Sequence, residues 1–280
     1  MRTRNLEPGS ETAEAAALDF RTIHSVLYFA RSHGAFWRRD RARNCRCAII
    51  KVCPVNMSLN QRALAANIVV IVAMMALLFV PAGTLHYWQA WTFLAVYFVA
   101  SLTLTAWLMV NDPKLLARRM RGGPTAEKVT AQKIIMWIVS ACFIGLLVVP
   151  ALDHRFGWSR VPGAVALAGD AMVAIGCIAV FFVFRENSFT SSTIEIADDQ
   201  KVISSGPYAR VRHPMYAGAL VLLLGIPVAL GSWWGLIVLA LMTPALIWRV
   251  FDEEEFLSRN LPGYPEYKAE VRYRLVPGVW

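Results

Sequence analysis

Long runs of uncharged apolar residues dominate this 280-residue chain. Several of them reach roughly 18 to 24 residues, the length that a helix needs to cross the hydrocarbon core of a bilayer. Charged residues make up only 17% of the chain, whereas a soluble domain carries about a quarter. Because backbone groups in lipid must be hydrogen-bonded within their own segment, these runs predict helices that span a membrane.

The apolar runs divide most of the chain into six segments. The sequence therefore predicts an all-α, polytopic integral membrane bundle with about six apolar segments. Only Gly231 and Ser232 separate the last two, which predicts a tight helical hairpin. We expect helices 1–4 within 57–184 and a C-terminal core within 185–280, which opens with a polar stretch of almost thirty residues. The segments span residues 64–81, 88–110, 134–152, 163–184, 215–230 and 233–248.

Residues 1–56 differ from the rest of the chain. They are rich in arginine and lack both a sustained apolar period and the apolar core of a signal peptide. Met57 is followed at once by an apolar segment. We therefore expect 1–56 to be a disordered or spurious N-terminal extension, the alternative being a basic arm on the membrane surface.

The five cysteines indicate neither a metal site nor a disulfide framework. Two of them lie inside apolar segments and are expected to behave as small hydrophobic residues. The other three lie near the N-terminus, without the paired His or Cys residues of a zinc site. The first group is Cys142 and Cys177, and the second is Cys45, Cys47 and Cys53.

The net charge of +9 is distributed unevenly between the apolar segments. Eleven Lys and Arg residues precede the first segment, six follow the second, four lie in 185–213 and five follow residue 248. The two remaining connections on the opposite side hold none and two. This is the positive-inside pattern, so we expect no nucleic acid partner and place both termini and 185–213 in the cytoplasm.

A cluster of polar residues precedes the fifth segment, in SGPYARVRHPMYAG. Gly206 and Pro207 predict a turn, and Pro214 fits the first turn of a helix. His213 is then expected beside free backbone N–H groups, where an anionic ligand group can bind. The alternative is an interfacial cap in which arginines contact lipid phosphate.

A second cluster, WRVFDEEE, closes the sixth segment. If the helix continues, Arg249 and Glu253 share one face, being four residues apart. The short hairpin brings both close to His213 and Tyr216. The alternative interpretation of this cluster is an exposed helix end with a local ion pair, worth a fraction of a kcal/mol. The tail that follows the cluster is expected to cover this membrane face.

The combination of GPYARVRHPMYAG, a hairpin, EEEFL and GYPEYKAEVRYR resembles the C-terminal half of the isoprenylcysteine carboxyl methyltransferase family and its bacterial relatives. It is similar in layout to the membrane phospholipid methyltransferases. The resemblance covers about residues 185–280, and the pairing of RHPxY with EExxL is more specific than either motif alone. It implies a membrane methyltransferase that uses S-adenosylmethionine.

The resemblance also implies roles for individual residues. Arg249 would position the methyl acceptor. The sequence departs from the eukaryotic pattern at 200–201, where Gln-Lys replaces His-Thr, and Thr193 replaces a family glutamine. The implied cofactor-binding residues are Gln200, Lys201, Val202, Ile203, Tyr208, His213, Pro214, Met215, Tyr216 and Glu253.

The implied function is methylation of a lipid-like or prenylated acceptor, with carboxyl O-methylation of an isoprenylcysteine-like substrate preferred over N-methylation of an amino-lipid. The sequence names no acceptor and marks no helix-pairing surface, so the oligomeric state stays open. Two further interpretations are an NADPH-dependent membrane reductase of the sterol-reductase type, which has a similar tyrosine-rich tail, and a membrane scaffold without enzymatic activity. Binding of one cofactor or the other distinguishes them.

Overall fold

A computed structural model describes residues 57–120, 122, 127, 129–191, 193–194, 196 and 200–280. These residues contain eight α-helices, a 3₁₀ turn at Gly206–Ala209 and no strand, which confirms the all-α prediction. The expectations for 1–56, including Cys45, Cys47 and Cys53, concern residues outside this part. The helices are α1 Leu59–Ala82, α2 Trp88–Asn111, α3 Pro113–Arg119, α4 Thr130–Phe156, α5 Gly163–Glu186, α6 Pro214–Ala229, α7 Trp234–Asn260 and α8 Tyr264–Glu270.

Five of the described helices, α1, α2, α4, α5 and α7, are long and apolar enough to cross a membrane. The protein is therefore a multi-pass integral membrane protein. The hairpin helix α6 is also apolar but has only 16 residues. Helix α7 has 27 residues and continues to Asn260, twelve residues beyond the predicted end of the sixth segment. Hydropathy alone ended that segment too early, because the polar turns of α7 remain helical.

The described residues divide between two compact units, one that ends at Val69 and one that spans Val70–Trp280. In the first unit, Ser58 and Gln61 form a capping box at the start of α1. The Ser58 N–H donates to Gln61 Oε1 at 2.9 Å, and the Gln61 N–H donates to Ser58 Oγ at 3.3 Å. This reciprocal pair satisfies N–H groups that the first helical turn leaves free.

In the second unit, glycines allow the backbones of α5 and α6 to touch. A Cβ atom on Gly176 would lie 2.6 Å from Leu222 Cβ, and one on Gly225 would lie 2.8 Å from the Gly169 carbonyl oxygen. A Cβ on Gly169 would overlap the backbone of Ala229. Small residues allow this approach between membrane helices, where packing rather than the hydrophobic effect holds the pair together.

The hairpin turn between α6 and α7 is fixed to the end of α4. The buried carboxylate of Asp153 accepts hydrogen bonds from Ser232 Oγ at 2.5 Å and from the Ser159 N–H at 2.6 Å. The Trp233 N–H donates to Ser159 Oγ at 3.2 Å. The turn therefore lies beside the α4–α5 connection, and the opposite ends of α6 and α7 meet at the other side of this unit.

Candidate active site

Within the second unit, a cavity of about 630 Å³ lies among α4, α5, α6, α7, α8 and the connections between them. This volume is in the range of small-molecule sites. One part is apolar, lined by side chains that include Met136, Phe143, Leu223 and Met242. The other part, which we call the polar part, lies at the start of α6 and toward the end of α7 and includes Tyr, His, Arg and Glu side chains. Every residue predicted for the site lines the cavity, although their roles stay predictions. They are Gln200, Lys201, Val202, Ile203, Tyr208, His213, Pro214, Met215, Tyr216, Arg249 and Glu253.

Tyr216 connects the two residues predicted from the second cluster. Its hydroxyl donates to Glu253 Oε2 at 2.7 Å and accepts from Arg249 Nε at 3.1 Å. Because α7 continues past residue 248, Arg249 and Glu253 lie one turn apart on its cavity face. The short hairpin brings the first turn of α6 opposite that face, as the sequence predicted.

Arg249 is also held by two residues that the sequence analysis did not identify. Its Nη2 forms an ion pair with Glu127 Oε1 at 2.8 Å, and its Nη1 donates to Gln132 Oε1 at 2.7 Å. Arg249 is 7% exposed and Glu127 is 4% exposed. No motif marked Glu127, which precedes Arg249 by 122 positions. The ion-pair partner of Arg249 thus comes from the α3–α4 connection.

Glu254 lies at the centre of a second polar network, which sequence reasoning also missed. Its Oε1 accepts from Arg212 Nε at 2.8 Å and lies 3.3 Å from His213 Nε2. Its Oε2 lies 3.2 Å from Arg274 Nε and 3.5 Å from Lys268 Nζ. The imidazole of His213, expected beside the N–H groups of α6, therefore contacts the buried carboxylate of Glu254.

The C-terminal tail lies across the same end of α6 and α7. The backbone N–H groups of Arg212 and His213 donate to the carbonyls of Tyr273 and Arg274, both at 2.9 Å. The guanidinium of Arg212 donates to the carbonyls of Val271 and Arg272 at 2.7 and 2.8 Å. The tail is therefore hydrogen-bonded through its backbone to the residues before α6, and its role as a cover of the membrane face stays a prediction.

Tyrosines of α8 and of the 3₁₀ turn complete the polar wall. Tyr264 and Tyr267 are buried and line the cavity, and Tyr267 donates its hydroxyl hydrogen to the Tyr208 carbonyl at 2.8 Å. Burial raises the pKa of Tyr208, and burial with the charge of Glu254 raises that of Tyr264. Both hydroxyls therefore stay protonated at neutral pH and can donate hydrogen bonds.

The connection after α5 forms another wall of the cavity. Hydrogen bonds with α3 and with the α3–α4 connection hold this wall in place. Arg118 Nη1 donates to the Ser188 carbonyl at 2.5 Å, and Arg119 Nη1 donates to the Ser191 carbonyl at 3.3 Å. The Ile194 N–H donates to Glu127 Oε2 at 3.4 Å. Thr193 also lines the cavity.

The donor set of the polar part suits a charged, hydrogen-bonding organic molecule. Among the described residues, the buried hydroxyl of Tyr264 has no hydrogen-bond partner, so it can serve a ligand. Glu253 presents a carboxylate for hydroxyl or ammonium groups. In the described part of the chain, no group of three or more His, Cys, Asp or Glu residues could hold a metal ion.

A family model described as phospholipid methyltransferase matches residues 165–262 of this chain. The matched range contains most of α5, the following connection, the hairpin and the whole of α7. No curated protein matches the chain. The family match and the five long apolar helices together indicate a membrane methyltransferase.

Proposed function

We propose that this protein transfers a methyl group from S-adenosylmethionine to a lipid-like acceptor, in a cavity that opens toward the cytoplasm. The observation that carries the proposal is a cavity whose lining combines polar side chains at the start of α6 and toward the end of α7 with apolar side chains from the interiors of the helices. The polar part contains the residues implied for the methyl donor, and the apolar part lies between helices that cross the membrane. The distribution of Lys and Arg supports the cytoplasmic orientation.

The residues of the polar part fit the methyl donor. Glu253 would accept hydrogen bonds from the ribose hydroxyls or the ammonium group. Tyr264 would use its unpaired hydroxyl, and the first N–H groups of α6 would face the carboxylate of the donor. When bound, S-adenosylmethionine supplies an electrophilic methyl group on a sulfonium. The protein contributes by excluding water and aligning the acceptor with that methyl group.

Carboxyl O-methylation of an isoprenylcysteine-like lipid is the first candidate reaction. A carboxylate is already ionised at neutral pH, so its oxygen needs no general base. Arg249 would position that carboxylate from the border of the polar part, and the apolar chain would lie beside Met136, Phe143 and Met242.

N-methylation of an amino-lipid is the second candidate, and two observations favour it. The family match is to phospholipid methyltransferases. In addition, the ion pair with Glu127 at 2.8 Å already balances the charge of Arg249. An acceptor carboxylate would therefore gain less from Arg249 than it would from an unpaired guanidinium.

Ligand binding to the purified protein tests the donor assignment. S-adenosylhomocysteine should bind in a calorimetric titration, whereas NADPH should not. The opposite result would favour the reductase interpretation, and binding of neither ligand would favour a membrane scaffold.

Methyl transfer with a labelled donor tests the reaction. Lipid acids and lipid amines with the same chains should be offered side by side. If the acceptor is an acid, Arg249→Ala should raise its KM or lower turnover while donor affinity stays within about a few-fold of wild type. Lysine should rescue only in part, because it lacks the bidentate fork of arginine. Unchanged acceptor kinetics in Arg249→Ala would remove Arg249 from the acceptor site.

A further inference from the structure

We propose that Glu127 is a positioning residue that sets the charge preference of the acceptor site by neutralising Arg249. The inference rests on the proposed function, since it takes the border of the cavity at Arg249 as the position of the acceptor head group. It concerns a residue outside every motif of the sequence. Glu127 acts through Arg249, which lines the cavity.

The ion pair is buried and geometrically fixed. Glu127 Oε1 lies 2.8 Å from Arg249 Nη2, and the side chains of Glu127 and Arg249 are 2% and 9% exposed. The second oxygen of Glu127 accepts from the Ile194 N–H at 3.4 Å. Both oxygens of this carboxylate therefore have a hydrogen-bond partner.

Two neutral groups also orient the guanidinium of Arg249. Gln132 accepts from Nη1, and the hydroxyl of Tyr216 accepts from Nε. The amide of Gln132 in turn donates to Asp252, one turn of α7 away from Arg249. Glu127 thus contributes a carboxylate in direct contact with the guanidinium, and the charge of Glu253 also acts on Arg249.

This arrangement has a consequence for acceptor choice. In a buried site, a charge without a partner favours a ligand of opposite sign, because the ligand removes the cost of leaving that charge alone. With Glu127 in place, the pair is neutral and an acidic head group gains little. Without the charge of Glu127, the surroundings of Arg249 carry one more positive charge, which favours an acid.

Four proteins test the proposal as a charge cycle: wild type, Glu127→Gln, Arg249→Gln and the double variant. Relative to wild type, the site carries one more positive charge in Glu127→Gln and one more negative charge in Arg249→Gln. The double variant restores the original balance. Glu255→Gln is the matched control, since it removes an exposed glutamate of the acidic run that pairs with Arg259.

The probes are S-farnesyl-N-acetylcysteine and its carboxamide, which share one lipid chain and differ in the charge of the head group. Their binding to detergent-purified protein should be measured together with that of S-adenosylhomocysteine. We expect the ratio of acid to amide affinity to rise about tenfold in Glu127→Gln and to fall about tenfold in Arg249→Gln. The double variant and Glu255→Gln should stay within about threefold of wild type. Donor-product affinity should change little in all of them.

An unchanged ratio in folded Glu127→Gln would overturn the proposal. So would equal weakening of both probes and the donor product, which is the result expected of a purely structural ion pair. If Glu127→Gln does not fold, Arg249→Gln is compared with the double variant, because these two proteins differ only at position 127. Equal ratios of acid to amide affinity in the two would overturn the proposal. Failure of the proposed function would appear separately, as wild-type protein that binds no donor product and transfers no methyl group.

Discussion

At the scale of single residues, three consecutive glutamates on α7 have three different environments. Glu253 lines the cavity and accepts a hydrogen bond from Tyr216 at 2.7 Å. Glu254 is buried among the cationic groups of the tail, and Glu255 is exposed beside Arg259. Since neighbours on a helix are turned by about 100°, one acidic run faces the cavity, a tertiary contact and the surface.

Glu253→Gln should weaken the binding of S-adenosylhomocysteine by at least about tenfold while the melting temperature stays near that of wild type. The amide cannot replace a carboxylate as an acceptor of charge-assisted hydrogen bonds, which are worth about 1.5–3 kcal/mol. Calorimetric titration measures the affinity, and Glu255→Gln is the control with the same chemical change. Unchanged affinity in a folded Glu253→Gln protein would contradict its assignment to the donor site.

Glu254→Gln should instead destabilise the protein. It removes the carboxylate that faces Arg212 and Arg274 in a buried setting, and removing one partner of a buried pair costs about 3–5 kcal/mol. We expect the lower part of that range, because Arg212 keeps the carbonyls of Val271 and Arg272 as acceptors. Thermal melting in detergent measures the effect, and a melting temperature equal to that of Glu255→Gln would show that the network does not hold the tail.

The residues of the site differ in how far the sequence could predict them. The positions of Arg249 and Glu253 could be predicted, because a four-residue spacing and a short hairpin fix their neighbours locally. Glu127 was not, because it reaches Arg249 from 122 positions away through a connection without a motif. Glu254 was not singled out either, because its partners are distributed over the residues before α6, α8 and the tail.

At the scale of helices, apolar length predicted the five long apolar helices and the shorter α6, but it did not predict how they pack. Close contact between α5 and α6 depends on glycines, which hydropathy counts only as weakly apolar residues. The same contact positions the start of α6, where Pro214, Met215 and Tyr216 line the cavity. Errors in α5–α6 packing should therefore affect the site as well as stability.

Gly169→Ala should lower stability by about 1–3 kcal/mol, the usual cost of overpacking. Its new methyl group would overlap the backbone of Ala229, which cannot move aside as a side chain can. Gly163→Ala makes the same chemical change in the same helix, where the nearest atom is a Trp88 ring carbon at 3.5 Å. Melting and donor-product binding should be impaired in Gly169→Ala and near normal in Gly163→Ala. Equal behaviour of the two variants would contradict direct backbone contact between α5 and α6.

At the scale of the whole molecule, the polar part of the cavity lies at the end of the Val70–Trp280 unit that carries most of its basic connections. Lys and Arg are frequent between α2 and α4, between α5 and α6, and after residue 248, and scarce between α1 and α2 and between α4 and α5. This charge difference would orient the protein with the cavity toward the cytoplasm. A donor made in the cytoplasm would then reach the polar part directly, while a lipid would enter the apolar part from the bilayer.

Cysteine labelling tests that orientation. Leu85, between α1 and α2, is 65% exposed, and Arg210, between the 3₁₀ turn and α6, is also exposed. In a variant whose five native cysteines are replaced by serine, a thiol reagent that cannot cross membranes should label Leu85→Cys in intact cells. It should label Arg210→Cys only after permeabilisation. Because α2, α4 and α5 lie between the two positions, labelling of both from outside would mean that one of these helices does not cross the bilayer. The reversed pattern would place the cavity outside the cell and exclude a cytoplasmic methyl donor.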